Sequence, residues 1–377
     1  MNIQPGYNAH PSHVGLALKF SSVKAMGPPM SDTLVAIVEL LFSVEEARIG
    51  SQLSFVHPQT PGHIARKTGL APESLAPLLE EMVRKKIIIR LANRYMLYPL
   101  IPGLFEVVLK SGERDEWHAA FAELINELVD TGYMGDYLNR PISAIRNVPV
   151  RRAVDAGSIV ADTDLVLELV DSHKHFAVYA TCPCRHSMRL TGQDCKRASA
   201  DEGCLAFGDY SRGLEKDGSG RTVSREEMLA ILGERRAKGL VFFTSNVRPS
   251  APTAICTCCD CCCRALKIHN NFSRNLVAPS HAIASVDESL CNNCGRCVKA
   301  CNTHAHSLVN RTHGYSHELC VGCGICAESC GNNAITMTEN RLYRPPSGSY
   351  TRLILKMLPP ILVTGTGIRL RRLFSKK

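Results

Sequence analysis

Cysteine is concentrated in one part of this 377-residue chain, and its spacing there is the strongest chemical signal in the sequence. All 18 cysteines lie between Cys182 and Cys330, and six of the eight residues from Cys256 to Cys263 are cysteine. Thiols this dense oxidise readily unless something binds them. In a reducing compartment, clustered cysteines bind metal more often than they form disulfides. The sequence therefore predicts metal binding in its middle and C-terminal parts.

Two segments near the C-terminus, residues 291–301 and 320–330, repeat the spacing C-x2-C-x2-C-x3-C with an offset of 29 residues. This spacing resembles that of bacterial ferredoxins, which hold two [4Fe–4S] clusters. In that pattern the fourth cysteine of each segment binds the cluster of the other segment. We therefore expect one cluster on Cys291, Cys294, Cys297 and Cys330, and a second on Cys320, Cys323, Cys326 and Cys301.

The alternative for these eight cysteines is structural zinc, but zinc sites usually use two separated C-x2-C pairs. Glycines at 295, 322 and 324 are expected to let backbone N–H groups point at the cluster sulfides. The segment departs from the ferredoxin pattern at Asn302 and Gly331, where ferredoxins usually have proline. We expect this change to loosen the turn and alter solvent access without removing a ligand.

The other ten cysteines have no simple spacing. Neighbouring side chains diverge, so adjacent cysteines suit a large cluster better than one tetrahedral ion. The set matches two cubane sites with two spare thiols, or one enlarged cluster, and zinc or reduced thiols without a cofactor are the alternatives. The ten predicted metal ligands are Cys182, Cys184, Cys195, Cys204, Cys256, Cys258, Cys259, Cys261, Cys262 and Cys263.

The C-C-D-C-C-C run resembles, weakly, the paired-cysteine motifs of heterodisulfide-reductase-type subunits. Residues 175–340 as a whole resemble bacterial and archaeal 4Fe–4S dicluster-domain proteins, a resemblance that implies electron transfer. Arg185 and Arg189 are candidates for neutralising cluster charge. His186, His304 and His306 flank the cysteines, and we interpret them as surface residues or as residues that contact ligands.

The thiol-rich loops are expected to follow strands. Residues 175–180 and 240–245 read as strands, each leading into a cysteine loop, and Ser224 begins a helix between them with a capping-box spacing to Glu227. We therefore predict a small α/β domain over residues 151–280, with both loops on one side of its sheet.

The part of the chain before these cysteines is predicted to have a different function. Residues 1–30 read as a flexible arm, and a helix is expected over residues 31–53. The order of elements over residues 31–100 resembles a winged helix-turn-helix domain, but its second helix begins with Glu73 and carries Glu80 and Glu81. Carboxylates repel phosphates, so docking or dimerisation is favoured over DNA binding. A helical part and a proline-containing linker extend this domain to residue 150.

Basic charge is concentrated in a C-terminal tail, residues 341–377, which follows a ferredoxin domain predicted over 281–340. The tail contains nine of the 44 basic residues and no acidic residue, so 35 basic residues remain to balance the 35 acidic ones. This basic amphipathic tail could contact an anionic membrane surface or an acidic partner. The sequence shows no signal peptide or transmembrane segment. A cytoplasmic location is therefore expected, with peripheral contact at the inner face of the membrane as an alternative.

The sequence thus predicts an α+β protein that relays single electrons through two [4Fe–4S] clusters, to or from one or two further iron–sulfur centres and a redox protein partner. Such a chain would be a component of an oxidoreductase system. Two alternatives stay open: an iron–sulfur reductase that does substrate chemistry at the middle cluster, and a redox-sensing regulator that binds DNA.

Overall fold

A computed structural model describes residues 7–138, 142–148, 163–216, 218–251, 253–272 and 275–374. The chain divides into two compact units. One contains Met1–Met134, Leu190–Gly192 and Ile361–Lys377, and the other contains Gly135–Arg189 and Gln193–Pro360. The predicted domain boundary at residue 280 falls inside the second unit, so all 18 cysteines share that unit.

The N-terminal region consists mainly of helices, with one antiparallel hairpin. Its elements are α1 (Pro11–Phe20), α2 (Asp32–Leu41), α3 (Val44–Gln52), α4 (Pro61–Thr68), α5 (Pro72–Arg84), β1 (Ile88–Leu91), β2 (Arg94–Leu97), α6 (Phe105–Leu109), α7 (Glu116–Asp130) and α8 (Tyr133–Leu138).

Two predictions for this region are wrong. Helix α1 buries Leu16, Ala17 and Phe20 completely, so residues 11–20 are not a loose arm. The helix expected over residues 31–53 is two helices, α2 and α3. It is interrupted because Ser43 caps α3: its hydroxyl accepts a hydrogen bond from the Glu46 N–H, and the Glu46 carboxylate accepts one from the Ser43 N–H.

The predicted order of helix, turn, helix and hairpin is present as α4, α5, β1 and β2, with Gly69 in the left-handed conformation at the turn. The start of α5 is exposed and acidic, since Glu73 is exposed there. The winged-helix assignment and the docking role stay predictions, because the order of elements alone does not establish them.

The second unit contains a seven-stranded sheet in the order β6-β4-β5-β8-β7-β3-β9. Its strands are β3 (Ile145–Asn147), β4 (Phe176–Tyr179), β5 (Leu205–Phe207), β6 (Gly220–Val223), β7 (Val241–Ser245), β8 (Thr253–Cys258) and β9 (Val277–Ala278). Strand β3 lies where a linker was predicted, whereas Pro141 and Pro149 lie outside the described residues.

The sheet is antiparallel apart from the pair β3–β9, which corrects the predicted α/β domain. Strands β7 and β8 are joined by residues 246–252, a connection too short for the crossover that parallel strands need. Strands β4 and β8 both pair antiparallel with β5, so they run in the same direction and end at the same edge. The thiol loops therefore do lie on one side, but the second follows β8 and not β7.

In the described part of this region, the helices are α9 (Thr163–Asp171), α10 (Pro183–Leu190), α11 (Arg225–Ala237) and α12 (Arg264–Asn271). As predicted, Ser224 caps α11, since its hydroxyl accepts a hydrogen bond from the Glu227 N–H at 3.1 Å. Phe207, Met228, Phe242 and Ile255 are buried in a core that also contains Cys259 and Cys262. The thiol loop is thus continuous with the hydrophobic core.

The ferredoxin-like segment has the repeated layout that its sequence predicts. Its elements are β10 (Ala282–Val286), α13 (Arg296–Ala300), β11 (His306–Val309), β12 (Thr312–Tyr315), α14 (Ile325–Ser329) and β13 (Ile335–Glu339). Strands β10 and β13 pair antiparallel, as do β11 and β12. In each repeat one short helix contains the third cysteine, and the fourth cysteine caps the C-terminal end of that helix.

The basic tail is helical. Helix α15 (Tyr350–Phe374) includes Pro359 and Pro360 without ending there, and Ile354, Leu355 and Val363 are exposed on it. Among the helices of the described residues, none combines the length and the apolar character needed to cross a membrane.

Candidate metal centres

Two cavities in the ferredoxin-like segment are each lined by four thiols. The first set is Cys291, Cys294, Cys297 and Cys330, and the second is Cys301, Cys320, Cys323 and Cys326. Each cavity thus takes three cysteines from one repeat and the fourth from the other, which is the grouping expected from the spacing. Four thiols around one compact cavity fit a [4Fe–4S] cube.

The backbone around these cavities is shaped by residues with positive φ. Asn293 and Gly322 occupy the same place in the two repeats, with φ of 56° and 73°, and Gly295 and Gly324 begin α13 and α14 in the same conformation. A Cβ on Gly322 would collide with the carbonyl oxygen of Ala282. Glycine is therefore required there for both conformation and space.

Asn302 corrects the expectation of a loosened turn. Its side chain is fully buried. Its Oδ1 accepts a hydrogen bond from the Asp260 N–H at 3.1 Å, and its Nδ2 donates to the carbonyl oxygens of Gly239 at 2.9 Å and Ala300 at 3.3 Å. Asn302 thus connects Cys301, in the second cavity, to the thiol-rich loop.

Six of the other ten cysteines form a closed ring of thiols, which we call the six-thiol ring. Each thiol interacts with two others, and the six links close on themselves. The sulfurs of Cys258 and Cys263 are 3.1 Å apart, and those of Cys204 and Cys256 are 3.7 Å apart. The order around the ring is Cys182, Cys184, Cys263, Cys258, Cys256 and Cys204.

The remaining four cysteines, Cys195, Cys259, Cys261 and Cys262, form a second site, the four-thiol group. All their sulfurs lie within 4.8 Å of one another. The sulfurs of the adjacent residues Cys261 and Cys262 are only 3.6 Å apart, so the expectation that adjacent cysteines diverge is wrong here. The sequence left the division of the ten open, and the structure divides them into six and four.

Hydrogen bonds among the thiols lower the pKa of some thiols and raise the pKa of others, as at Cys258 in the ring and Cys259 in the four-thiol group. Those from Cys204 and Cys258 lower the pKa of Cys256 to about 5. Those from Cys259, Cys261 and Cys262 hold the pKa of Cys195 far below its usual value. The thiolate is the form that binds metal.

A buried guanidinium lies between the two sites. Arg185 is 1% exposed, and it donates to the carbonyl oxygens of Thr257, Glu202 and Ser199. Burial alone would lower the pKa of Arg185, but the charges of Cys182 in the ring and Cys259 in the four-thiol group raise it. A buried cation needs negative charge nearby, so Arg185 fits thiol sites that stay anionic when metal is bound.

Arg189, the other arginine expected to neutralise cluster charge, is instead paired with a carboxylate. Arg189 forms an ion pair with Asp201 at 2.9 Å, and it also hydrogen-bonds to the Nδ1 of the fully buried His186. His304 is exposed. His306 lies near Cys297 and contacts His313 through Nδ1 at 2.9 Å, and burial lowers its pKa to about 4. The sequence analysis missed Arg235 of α11, because no motif near it in the sequence marks it as functional.

One family comparison gives the class of this region. Residues 284–337 match the family described as the 4Fe-4S dicluster domain. The chain therefore contains an iron–sulfur domain of the two-cluster ferredoxin type. The resemblance noted from the sequence covered residues 175–340, and the match supports only its C-terminal part. The six-thiol ring and the four-thiol group lie outside the matched residues. No curated protein matches the chain.

Proposed function

We propose that this chain is an iron–sulfur electron-transfer protein in which the six-thiol ring holds a further redox centre beside the ferredoxin cavities. Iron–sulfur clusters bound by thiolates take up and release single electrons. The ring offers six thiols, two more than a cube requires, so it supports a polynuclear centre. The redox partner, and a membrane contact through α15, stay predictions.

Two consecutive arginines near the end of α11 carry this proposal, because they face the two kinds of site. Arg235 donates to the hydroxyl of Thr257, between Cys256 and Cys258 of the ring, at 2.9 Å. Arg236 forms an ion pair with Glu328 of α14 at 3.0 Å, and its charge opposes the burial that raises the pKa of Cys323 to about 12. The ring and the second cavity thus lie next to residues contacted by neighbouring arginines of one helix.

Removing Cys323 tests the proposed relay. We expect Cys323→Ala, which deletes one thiol of the second cavity, to slow the reduction of the ring-bound centre by a protein donor such as reduced bacterial ferredoxin. The slowing should be about tenfold or more, since the cluster site next to Arg236 is lost from the proposed path. Electron paramagnetic resonance after rapid freezing measures the rate, and the ring signal is the one that Cys182→Ser lacks.

The matched control is Ser307→Ala, on the exposed strand β11 of the same segment, which should reduce the ring-bound centre at the unchanged rate. Equal rates in Cys323→Ala and the control protein would mean that electrons do not pass through the second cavity. The relay would then be rejected, even if all centres were present.

A second prediction concerns Arg236. Reduction adds negative charge, which a buried cation stabilises, so Arg236→Gln should lower the midpoint potential of the cluster held by Cys323. The expected change is roughly 40 mV, or about 1 kcal/mol. Arg225→Gln is the control, because Arg225 is at the other end of α11 in an exposed pair with Asp171. An anaerobic redox titration that gives the same potential for both variants would contradict this placement of charge.

A further inference from the structure

We propose that the four-thiol group binds a single tetrahedral zinc ion, and that this site is structural and distinct from the redox centres. The spacing of its sulfurs carries the argument. The sulfurs of Cys195 and Cys259 are 3.5 Å apart, and those of Cys195 and Cys261 are 3.6 Å apart. A tetrahedron with zinc–sulfur bonds of 2.3 Å has edges of about 3.8 Å, which these distances approach.

A [4Fe–4S] cube needs a wider set of ligands, because the cube itself stands between the thiols. The ferredoxin-like segment provides an internal comparison. Its cysteines all lie in the described part of the chain, and neither of its two sets forms a group of sulfurs within 4.8 Å of one another. The four-thiol group is therefore contracted relative to cluster sites in the same protein.

The surroundings of the four-thiol group are those of a closed site. Cys259 and Cys262 are buried in the core of the sheet, while Cys195 and Cys261 pack against that core. The Arg197 N–H donates to the sulfur of Cys195 at 3.5 Å, and the Arg197 side chain forms an ion pair with Asp260 at 2.7 Å. Structural zinc sites are filled by four protein ligands in this way and leave no position for substrate.

Zinc here would fasten together two distant parts of the chain. It would join the loop at Cys195 to the loop at residues 259–262, and between two of its ligands lies Asp260. The Asp260 N–H donates to Asn302, beside Cys301. The ion would thereby hold the thiol-rich loop in the position from which it contacts the ferredoxin-like segment.

The test is metal analysis of the full-length protein purified without oxygen. We expect about one zinc per chain, with zinc-edge X-ray absorption showing four sulfurs at about 2.3 Å. Cys261→Ser should bind at least tenfold less zinc and keep all its iron, whereas Cys182→Ser, in the six-thiol ring, should keep zinc and lose only the iron of the ring. The absorption measurement on the unchanged protein needs no variant and decides the matter if Cys261→Ser does not fold.

Protein without zinc, in which Cys261→Ser loses iron instead, would overturn the assignment, and so would zinc that disappears in Cys182→Ser but not in Cys261→Ser. Iron in place of zinc at this site, measured as a loss of about one iron per chain in Cys261→Ser, would also overturn it. These outcomes are independent of electron transfer, since the relay is tested by the rate in Cys323→Ala and not by zinc content.

Discussion

Replacing Arg185 by methionine is expected to strip metal from the six-thiol ring and to destabilise the sheet that carries it. The guanidinium is buried, it donates to the carbonyl oxygens of Thr257 and Glu202, and it balances the charge of Cys182. Methionine has a similar volume but neither charge nor donors, so the thiolates lose their counter-charge and the carbonyls lose their partners. Removing one member of a buried charged arrangement costs about 3–5 kcal/mol.

Residues that support metal ligands typically change metal affinity roughly 10- to 100-fold when they are replaced. We therefore expect Arg185→Met to lose the ring iron during dialysis against a chelator under conditions in which the unchanged protein keeps it. The measurement is iron per chain before and after dialysis. Arg185→Lys should recover only part of the retention, because lysine restores the charge but not the planar set of donors.

Arg189→Met is the matched control, one turn later on α10. Arg189 is also a largely buried arginine beside the cysteines, but its charge is balanced by Asp201. We expect its replacement to leave the ring iron in place. Equal retention by Arg185→Met and Arg189→Met would show that Arg185 does not hold the ring in its metal-binding form.

The grouping of the ferredoxin cysteines could be predicted from the sequence because it depends on local spacing. The division of the other ten could not. Cys256 and Cys258 point to the same face because they are two residues apart in β8, which places both in the ring. That alternation was missed because the strand predicted over residues 240–245, which contains β7, was expected to lead into the loop. Cys195 and Cys259 meet although 64 residues separate them along the chain, and no spacing rule predicts such a contact.

Asn302 shows the same limit at a single position. In the sequence, Asn302 is notable only because ferredoxins usually have proline at this position, so a looser turn was expected. Its partners, the Asp260 N–H and the Gly239 carbonyl, come from the preceding sheet region and not from the repeat. Only the fold shows that the amide fills a position in which both a donor and an acceptor are needed.

Asn302→Ala should accordingly be among the most damaging single changes outside the cysteines. It would leave the Asp260 N–H and the Gly239 carbonyl without these partners, and each unsatisfied buried group costs about 1–3 kcal/mol. We expect the thermal midpoint of the metal-loaded protein, measured without oxygen, to fall by roughly 5–12 °C. Asn332→Ala is the control, since Asn332 is exposed and donates to Leu290 over 3.4 Å; its midpoint should stay within about 2 °C.

Asn302→Pro separates this explanation from the simpler one. If asparagine were merely a tolerated substitute, the ferredoxin-type proline would stiffen the turn and raise the thermal midpoint. Because proline has no side-chain amide, the hydrogen-bonded connection between Cys301 and the thiol-rich loop predicts a fall at least as large as that of alanine. Electron transfer to the ring should slow in parallel, since the loop beside the ring loses its fixed position. A proline variant that is more stable than the unchanged protein would show that Asn302 does not join the two parts of the site.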